Sequence, residues 1–285
     1  MQSDVTTIGL LHPGQMGAAV GATAKAGGSR VVWVGEGRSD ATHARADADE
    51  LEDVAWLNAL VNQSDVVLSI CPPAAAVAVA EEVAALGFRK IYVDANAVSP
   101  ATARRVAEIV ERSGASYVDG GIIGGPPRRA GTTRLYLSGE RARRVATLLG
   151  DGPLETIAIE GPATAASALK MAYAGYTKGS TALLIAMHAL ALHEGVHEAL
   201  MAEWERSQPE LIRRSGDGIS SAAAKAWRFV GEMEEIAASL QAAGVPDGFH
   251  RAAAELYGRL ERFRDDPDAP GGAELARYVI EGGDE

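Results

Sequence analysis

The sequence predicts an α/β chain: a doubly wound parallel sheet over residues 1–162, followed by a long interdomain helix and an all-α C-terminal domain over residues 163–285. Two observations carry this reading. From Val5 to about Ile159, short β-branched runs alternate with Ala-rich helical stretches, the pattern of a parallel sheet covered by helices. After Gly161-Pro162 the texture changes to long Ala- and Leu-rich helical sequence with no strand signal.

Taken in order, the expected strands are Thr6 to Leu11, Val31 to Gly35, Val66 to Ile70, Ile91 to Asp94, Tyr117 to Asp119, Leu135 to Ser138 and Thr156 to Ile159. Their apolar residues run consecutively, as in parallel strands buried on both faces. The segment from Asp119 to Gly125 reads as a loop. Ser99 followed by Pro100 marks a helix start, and Gly114 marks that helix's end. In the second half a helix is expected from Ala163 to about His193. Shorter helices follow, with breaks around Gly195, Gly216 to Gly218, Gly244 to Gly248 and Asp265 to Gly272. Trp204, Trp227, Phe229 and Leu240 recur at helical spacing, so this region packs rather than remaining disordered.

Composition excludes several functions. The 285 residues suffice for two modest cores. The single cysteine, Cys71, rules out an intramolecular disulfide and a multi-cysteine metal site. A net charge of −11 argues against general nucleic-acid binding, and the short basic clusters Arg128 to Arg134 and Arg141 to Arg144 read as solvated surface. No segment approaches the roughly 18 uninterrupted apolar residues of a membrane span. Met1 to Thr7 carries Asp4 and no basic cluster, which does not read as a signal peptide, so the expected location is the cytoplasm.

The first strand runs into His12-Pro13-Gly14-Gln15-Met16-Gly17 and then into an Ala-rich helix, Ala18 to Ala26. Glycines at a strand-to-helix turn are the Rossmann-type mark of dinucleotide binding. Gly14 lets the backbone approach a pyrophosphate, Gly17 lets helix and strand pack, and the helix start supplies amide donors. His12 stands where the fingerprint has its first glycine. The second strand ends in Gly35-Glu36-Gly37-Arg38-Ser39. There Arg38 and Ser39 suit a 2′-phosphate while Glu36 suits a 2′-hydroxyl, so NADP(H) is favoured and NAD(H) stays open. Two further strand ends point to the same crevice: Cys71-Pro72-Pro73 as a wall beside the ribose, and Asn96 as a hydrogen-bonding group for the nicotinamide ribose. Cys71 reads as a small apolar filler rather than a reactive thiol.

The order of these motifs, together with Asp94-Ala95-Asn96-Ala97-Val98-Ser99-Pro100, the segment Asp119 to Gly125 and the helix around Lys170, resembles the β-hydroxyacid dehydrogenase superfamily. That group includes 3-hydroxyisobutyrate and 6-phosphogluconate dehydrogenases and the related imine reductases. The resemblance implies a proton-transferring lysine on the long helix, which Lys170 matches, and a homodimer for which the apolar run Ala182 to Leu192 is suited. Two departures remove carboxylate-binding groups: the family's Ser-Gly-Gly reads Ile123-Gly124-Gly125, and its Asn after the lysine reads Tyr173. Lys170, Tyr173 and Thr177 share one helix face by spacing. Glu232, in a late helix, is a candidate for contact with substrate or a polar partner. The resulting expectation is an imine-reductase-like, NADPH-dependent reductase of a C=N or C=O carbon, with Lys170 as proton donor. A 3-hydroxy acid dehydrogenase and a non-catalytic nucleotide-binding regulator stand as alternatives.

His193-Glu194-Gly195-Val196-His197 fits the H-E-x-x-H zinc pattern. Gly195 falls where the long helix should end, which spoils the one-face geometry, and no third ligand is recognisable, so no metal site is expected.

Overall fold

The computed structural model describes residues 5–281, so Asp4 of the N-terminal reading and the last four residues lie outside it. The chain divides into two compact units, Met1–Met171 and Ala172–Glu285. The division falls inside a helix, later in the chain than Gly161-Pro162.

In the first unit the elements are β1 (Thr7–Leu11), α1 (Gln15–Ala26), β2 (Arg30–Trp33), α2 (Asp40–Ala48), β3 (Glu52–Asp53), α3 (Leu57–Gln63), β4 (Val66–Ser69), α4 (Ala76–Ala85), β5 (Ile91–Asp94), α5 (Pro100–Arg112), β6 (Ser116–Gly124), β7 (Thr133–Ser138), α6 (Ala142–Leu149) and β8 (Leu154–Ala158), then the start of α7 (Ala165–His193). The sheet order is β3-β2-β1-β4-β5-β6-β7-β8. Each central strand feeds both faces. Ile8, Leu10, Val66, Leu68, Ile91 and Val93 join a core with Val20, Ala24, Val145 and Leu149 of α1 and α6. The alternate residues Leu11, Val67 and Tyr92 join a second core with Leu60, Val79, Val83 and Val106 of α3, α4 and α5. This is the side-chain alternation of a sheet covered on both sides. The order reverses on either side of β1, and the crevice beyond that switch point is where such sheets bind ligands.

The structure departs from two expectations. The sheet is not parallel throughout: β6 and β7 pair antiparallel, from Asp119↔Ser138 to Gly124↔Thr133. The segment expected as a loop after Asp119 is the second half of β6, so Ile123 and Gly124 are strand residues. Gly120 and Gly121 resemble a loop in sequence but serve packing. A Cβ on Gly121 would lie 2.6 Å from the Ala166 carbonyl oxygen and 3.1 Å from Lys170 Cβ, so only glycine lets α7 lie on this strand.

The second unit holds the rest of α7 and α8 (His197–Ser207), α9 (Pro209–Arg213), a π-helical turn (Arg214–Gly218), α10 (Ile219–Ala223), α11 (Ala226–Ala242), α12 (Gly248–Gly258) and α13 (Gly272–Glu281). The expected helix breaks coincide with these boundaries. Met233, Ile236, Tyr257, Leu260 and Leu275 are buried in this unit. Among the described residues no helix is long and apolar enough to cross a membrane.

Candidate active site

Register places Leu11, Ser69, Asp94 and Asp119 in one row across β1, β4, β5 and β6, so the residues just beyond them share the carboxyl edge of the sheet. After β1 the chain turns tightly: the Gly14 amide donates to the His12 carbonyl at 2.8 Å, and the Ala18 amide to that of Gly14 at 2.9 Å. Helix α1 begins at Gln15, three residues earlier than expected, so Gln15, Met16 and Gly17 form its first turn. A Cβ on Gly17 would sit 2.5 Å from the His12 oxygen, whereas a Cβ on Gly14 would meet nothing within 4 Å. The turn thus presents open backbone at the start of a helix whose first turn carries no acidic side chain, a fit for a pyrophosphate. His12 itself takes φ 67°, the left-handed conformation natural to the glycine it replaces. Burial, with Arg38 adding its positive charge, lowers the imidazole pKa from 6.5 to about 4.

Beyond β2 the Arg38 amide closes a turn on the Gly35 carbonyl at 3.0 Å. Glu36, Arg38 and Ser39 are exposed, and Ser39 is the N-cap residue of α2. Ser39 Oγ lies 3.1 Å from Thr42 Oγ1, which also accepts from Arg45 Nη2 at 3.0 Å. Asp53 of β3 accepts the Gly35 amide at 3.0 Å, and His43 Nε2 lies 3.0 Å from the Gly35 carbonyl. Thr42, Arg45, His43 and Asp53 were not expected from sequence. The spacing of Ser39, Thr42 and Arg45 on one helix face was the available signal, whereas β3, two residues long, gave none.

At the ends of β4 and β5 the Asn96 side chain is buried and engaged. Its Oδ1 accepts the Cys71 amide at 2.6 Å and its Nδ2 donates to Ser69 Oγ at 3.0 Å. The amide ties the Cys71-Pro72-Pro73 wall to the neighbouring strand. Burial pushes the Cys71 thiol up to about 11, so it is un-ionised at neutral pH, as a filler residue would be.

On β6, buried Asp119 organises the start of α7. Its Oδ2 accepts from the Ser167 amide at 2.7 Å and from Ser138 Oγ at 3.1 Å, and its Oδ1 from Ser167 Oγ at 2.5 Å. Burial raises its pKa, while the hydrogen bonds from Ser167 and Ser138 oppose the rise. Ser138 Oγ accepts the Ala166 amide at 3.0 Å, so two amides of the first helical turn are capped from the sheet. One turn later, Lys170 Nζ donates to the Ile122 carbonyl at 2.8 Å. Ile123 is buried, Gly124 ends the strand and the Gly125 carbonyl accepts from Thr133 Oγ1 at 2.6 Å.

In the second unit, Tyr173 is exposed on α7 and its carbonyl accepts from Thr177 Oγ1 at 3.1 Å. Glu232 is ion-paired with Lys178, whose ammonium lies 4.3 Å from the Phe229 ring centroid. Among the histidines of the zinc-like pattern, His193 is exposed, and Gly195 ends the helix with φ 70°. His197 Nε2 instead meets His188 Nδ1 at 2.9 Å. No group of three metal-ligating side chains occurs among the described residues.

Residues 4–149 match the family model described as the NAD binding domain of 6-phosphogluconate dehydrogenase, and residues 191–260 match a domain of unknown function, DUF1932. An uncharacterized 28.5 kDa protein of Methanothermus fervidus is 31% identical over 150 residues, and that match spans 52% of this chain and 57% of the relative. Among solved structures, 3-hydroxyisobutyrate dehydrogenase of Mycobacterium tuberculosis aligns at TM-score 0.69 and 18% identity, covering 97% of this chain and 99% of the other. A reductive aminase of Aspergillus terreus, in complex with NADPH and ethyl levulinate, aligns at TM-score 0.57 and 20% identity over 97% and 99% of the two chains. At those identities the two structures speak for fold alone. With the family model covering half of its length, the chain belongs to the family of the NAD binding domain of 6-phosphogluconate dehydrogenase, within the β-hydroxyacid dehydrogenase-like superfamily.

Proposed function

We propose that this protein is an NADPH-dependent reductase of a C=N or C=O carbon in a small organic substrate, with Lys170 donating the proton. The observation that carries the reading is the placement of Lys170 Nζ on the Ile122 carbonyl, at the same carboxyl edge of the sheet as the glycine turn. Bound NADPH supplies the hydride. His12, Pro13, Gly14, Gln15, Met16 and Gly17 hold the pyrophosphate, Arg38 and Ser39 the 2′-phosphate, and Cys71, Pro72, Pro73 and Asn96 form the wall beside the ribose. Lys170, held by a carbonyl that accepts but cannot donate, keeps an N–H proton for the nitrogen or oxygen that gains negative charge. Ile123, Gly124 and Gly125 shape the surroundings of the substrate beside Lys170, and Tyr173, Thr177 and Glu232 are substrate contacts that the resemblance alone implies. An apolar Ile123 and an aromatic Tyr173 offer no cation to a carboxylate, which favours imines and neutral ketones over 3-oxo acids.

The test is consumption of NADPH and NADH against paired panels of cyclic imines, neutral ketones and 3-oxo acids, with Lys170→Ala alongside. Turnover of imines or ketones that the alanine variant loses supports the reading. Turnover of oxo acids alone favours the hydroxy acid dehydrogenase, and cofactor binding without turnover favours a regulator.

The same reading includes a homodimer formed through α7. Tyr176, Leu183 and Leu190 are 71%, 45% and 54% exposed and stand at heptad spacing, the repeat by which one helix packs along another. Light scattering that reports a monomer at micromolar concentration would remove it.

A further inference from the structure

His12 occupies a backbone conformation suited to glycine and still carries an imidazole into the turn, so something must be gained from the ring. Its Nδ1 is buried and has no hydrogen-bond partner among the described residues. A buried, unpartnered ring nitrogen is unfavourable in either tautomer, because it is a donor without an acceptor or an acceptor without a donor. The groups around it explain why the ring is neutral in the free protein. Burial disfavours the imidazolium, and Arg38, from the turn after β2, is the charge that acts on it. Just beyond the end of β4 stands Cys71, whose thiol is kept uncharged at neutral pH by burial. From α1 no acidic side chain enters the first turn.

A phosphorylated dinucleotide changes these terms together. Its pyrophosphate brings negative charge to the start of α1, beside the His12-Pro13-Gly14 turn. Its 2′-phosphate pairs with Arg38 and offsets the positive charge that opposes protonation. We infer that His12 is a proton-coupled ligand of the dinucleotide, taking up one proton when the cofactor binds and holding it as an imidazolium against the phosphates. This rests on the cofactor reading proposed above. It makes affinity for the cofactor a function of pH at a position where glycine would leave it indifferent.

The experiment is calorimetric titration of the full chain with NADP⁺ between pH 4.5 and 7, in buffers of different ionisation enthalpy. Wild type is compared with His12→Gly, which takes the left-handed conformation without strain, and with His12→Asn, which tolerates it but does not titrate. The 2′-phosphate itself titrates, so the difference between proteins is decisive. Wild type is expected to take up most of one additional proton midway between the free and bound midpoints of the ring, with affinity there rising by up to about tenfold per pH unit relative to both variants as the pH is lowered. A histidine NMR signal absent from both variants should shift its midpoint upward when NADP⁺ binds. Equal proton uptake in all three proteins, with NADP⁺ bound, overturns the inference alone. Failure of wild type to bind NADP⁺ at any pH overturns the cofactor reading and the inference with it.

Discussion

Asp119 on the sheet and Ser167 on α7 are joined twice, amide to Oδ2 at 2.7 Å and hydroxyl to Oδ1 at 2.5 Å. Lys170 follows one turn later, so this buried carboxylate fixes both the helix start and the position of the amine. Asp119→Ala leaves the amide and hydroxyl of Ser167 without their acceptor, while the Ser138 hydroxyl keeps the Ala163 carbonyl at 3.0 Å. The expected loss is about 2–4 kcal/mol of stability. Displacement of Lys170 should also lower kcat on the order of tenfold to a hundredfold. Asp119→Asn retains one acceptor for the Ser167 amide and should lose less. Urea unfolding and steady-state kinetics check both, and an alanine variant with an unchanged unfolding midpoint would sink the idea.

In the function proposed above, the residue that reads the 2′-phosphate is Arg38, exposed beside Ser39 at the start of α2. A charge-assisted contact to the 2′-phosphate contributes about 1.5–3 kcal/mol, a factor of roughly 10–100 in Kd. Arg38→Ala is therefore expected to weaken NADPH by that factor and leave NADH nearly unchanged. Quenching of protein fluorescence reports both constants. Equal weakening of the two cofactors would show that Arg38 does not read the phosphate.

The pair Lys178–Glu232 is largely shielded, with side chains 18% and 13% exposed, and the Tyr257 hydroxyl donates to the Lys178 carbonyl at 2.7 Å. Neutralising one side of a shielded pair removes part of what offsets the other's desolvation, so Glu232→Gln should cost about 1–3 kcal/mol. The double variant Lys178→Met with Glu232→Leu should recover much of that loss. Thermal melts measure the stability changes. A rise in KM for Glu232→Gln with no change in stability would instead make Glu232 a substrate contact.

The parts of this protein that were legible in its sequence are those set by neighbours along the chain. The strand-turn-helix at His12 to Gly17 is one, the helix stop at Gly195 is another, and Ser99 caps α5 as expected, accepting the Thr102 amide. What was not legible depends on contacts across the sheet. Gly120-Gly121 looks like loop because the second role of Gly121, admitting α7, lies in partners far along the chain, Ala166 and Lys170. Asn96 reads as a free polar group until the strand register brings Cys71 and Ser69 to it. His197 likewise finds His188 on the preceding helix rather than the His193 that the motif spacing suggests.

That histidine pair makes a prediction about acid stability. His188 is buried, with Nδ1 2.9 Å from His197 Nε2 and Nε2 2.8 Å from Ser215 Oγ. The Ser215 hydroxyl donates to the Leu211 carbonyl at 2.8 Å, so Ser215 must accept at His188. One proton order satisfies the chain: His197 donates to His188, His188 donates to Ser215, and Ser215 donates to Leu211. A second proton on His188 would require His197 to give up the Nε2 proton it donates and accept through that atom instead. Burial, then His197, accordingly lowers the His188 pKa from 6.5 to about 4. The unfolded chain thus binds a proton that the folded chain refuses between these two values. Stability contributed by neutral His188 is intact above about pH 6.5, declines as pH falls, and stops declining below about pH 4, a loss of at most about 3 kcal/mol. His188→Gln can still donate to Ser215 and accept from His197 without titrating, so its unfolding free energy should fall less steeply over the same window. Denaturant unfolding of both proteins from pH 7.5 to 4.5 measures the difference, in which the carboxylates common to both cancel. Parallel curves would mean that His188 is protonated in the folded state and that its Nδ1 does not accept from His197.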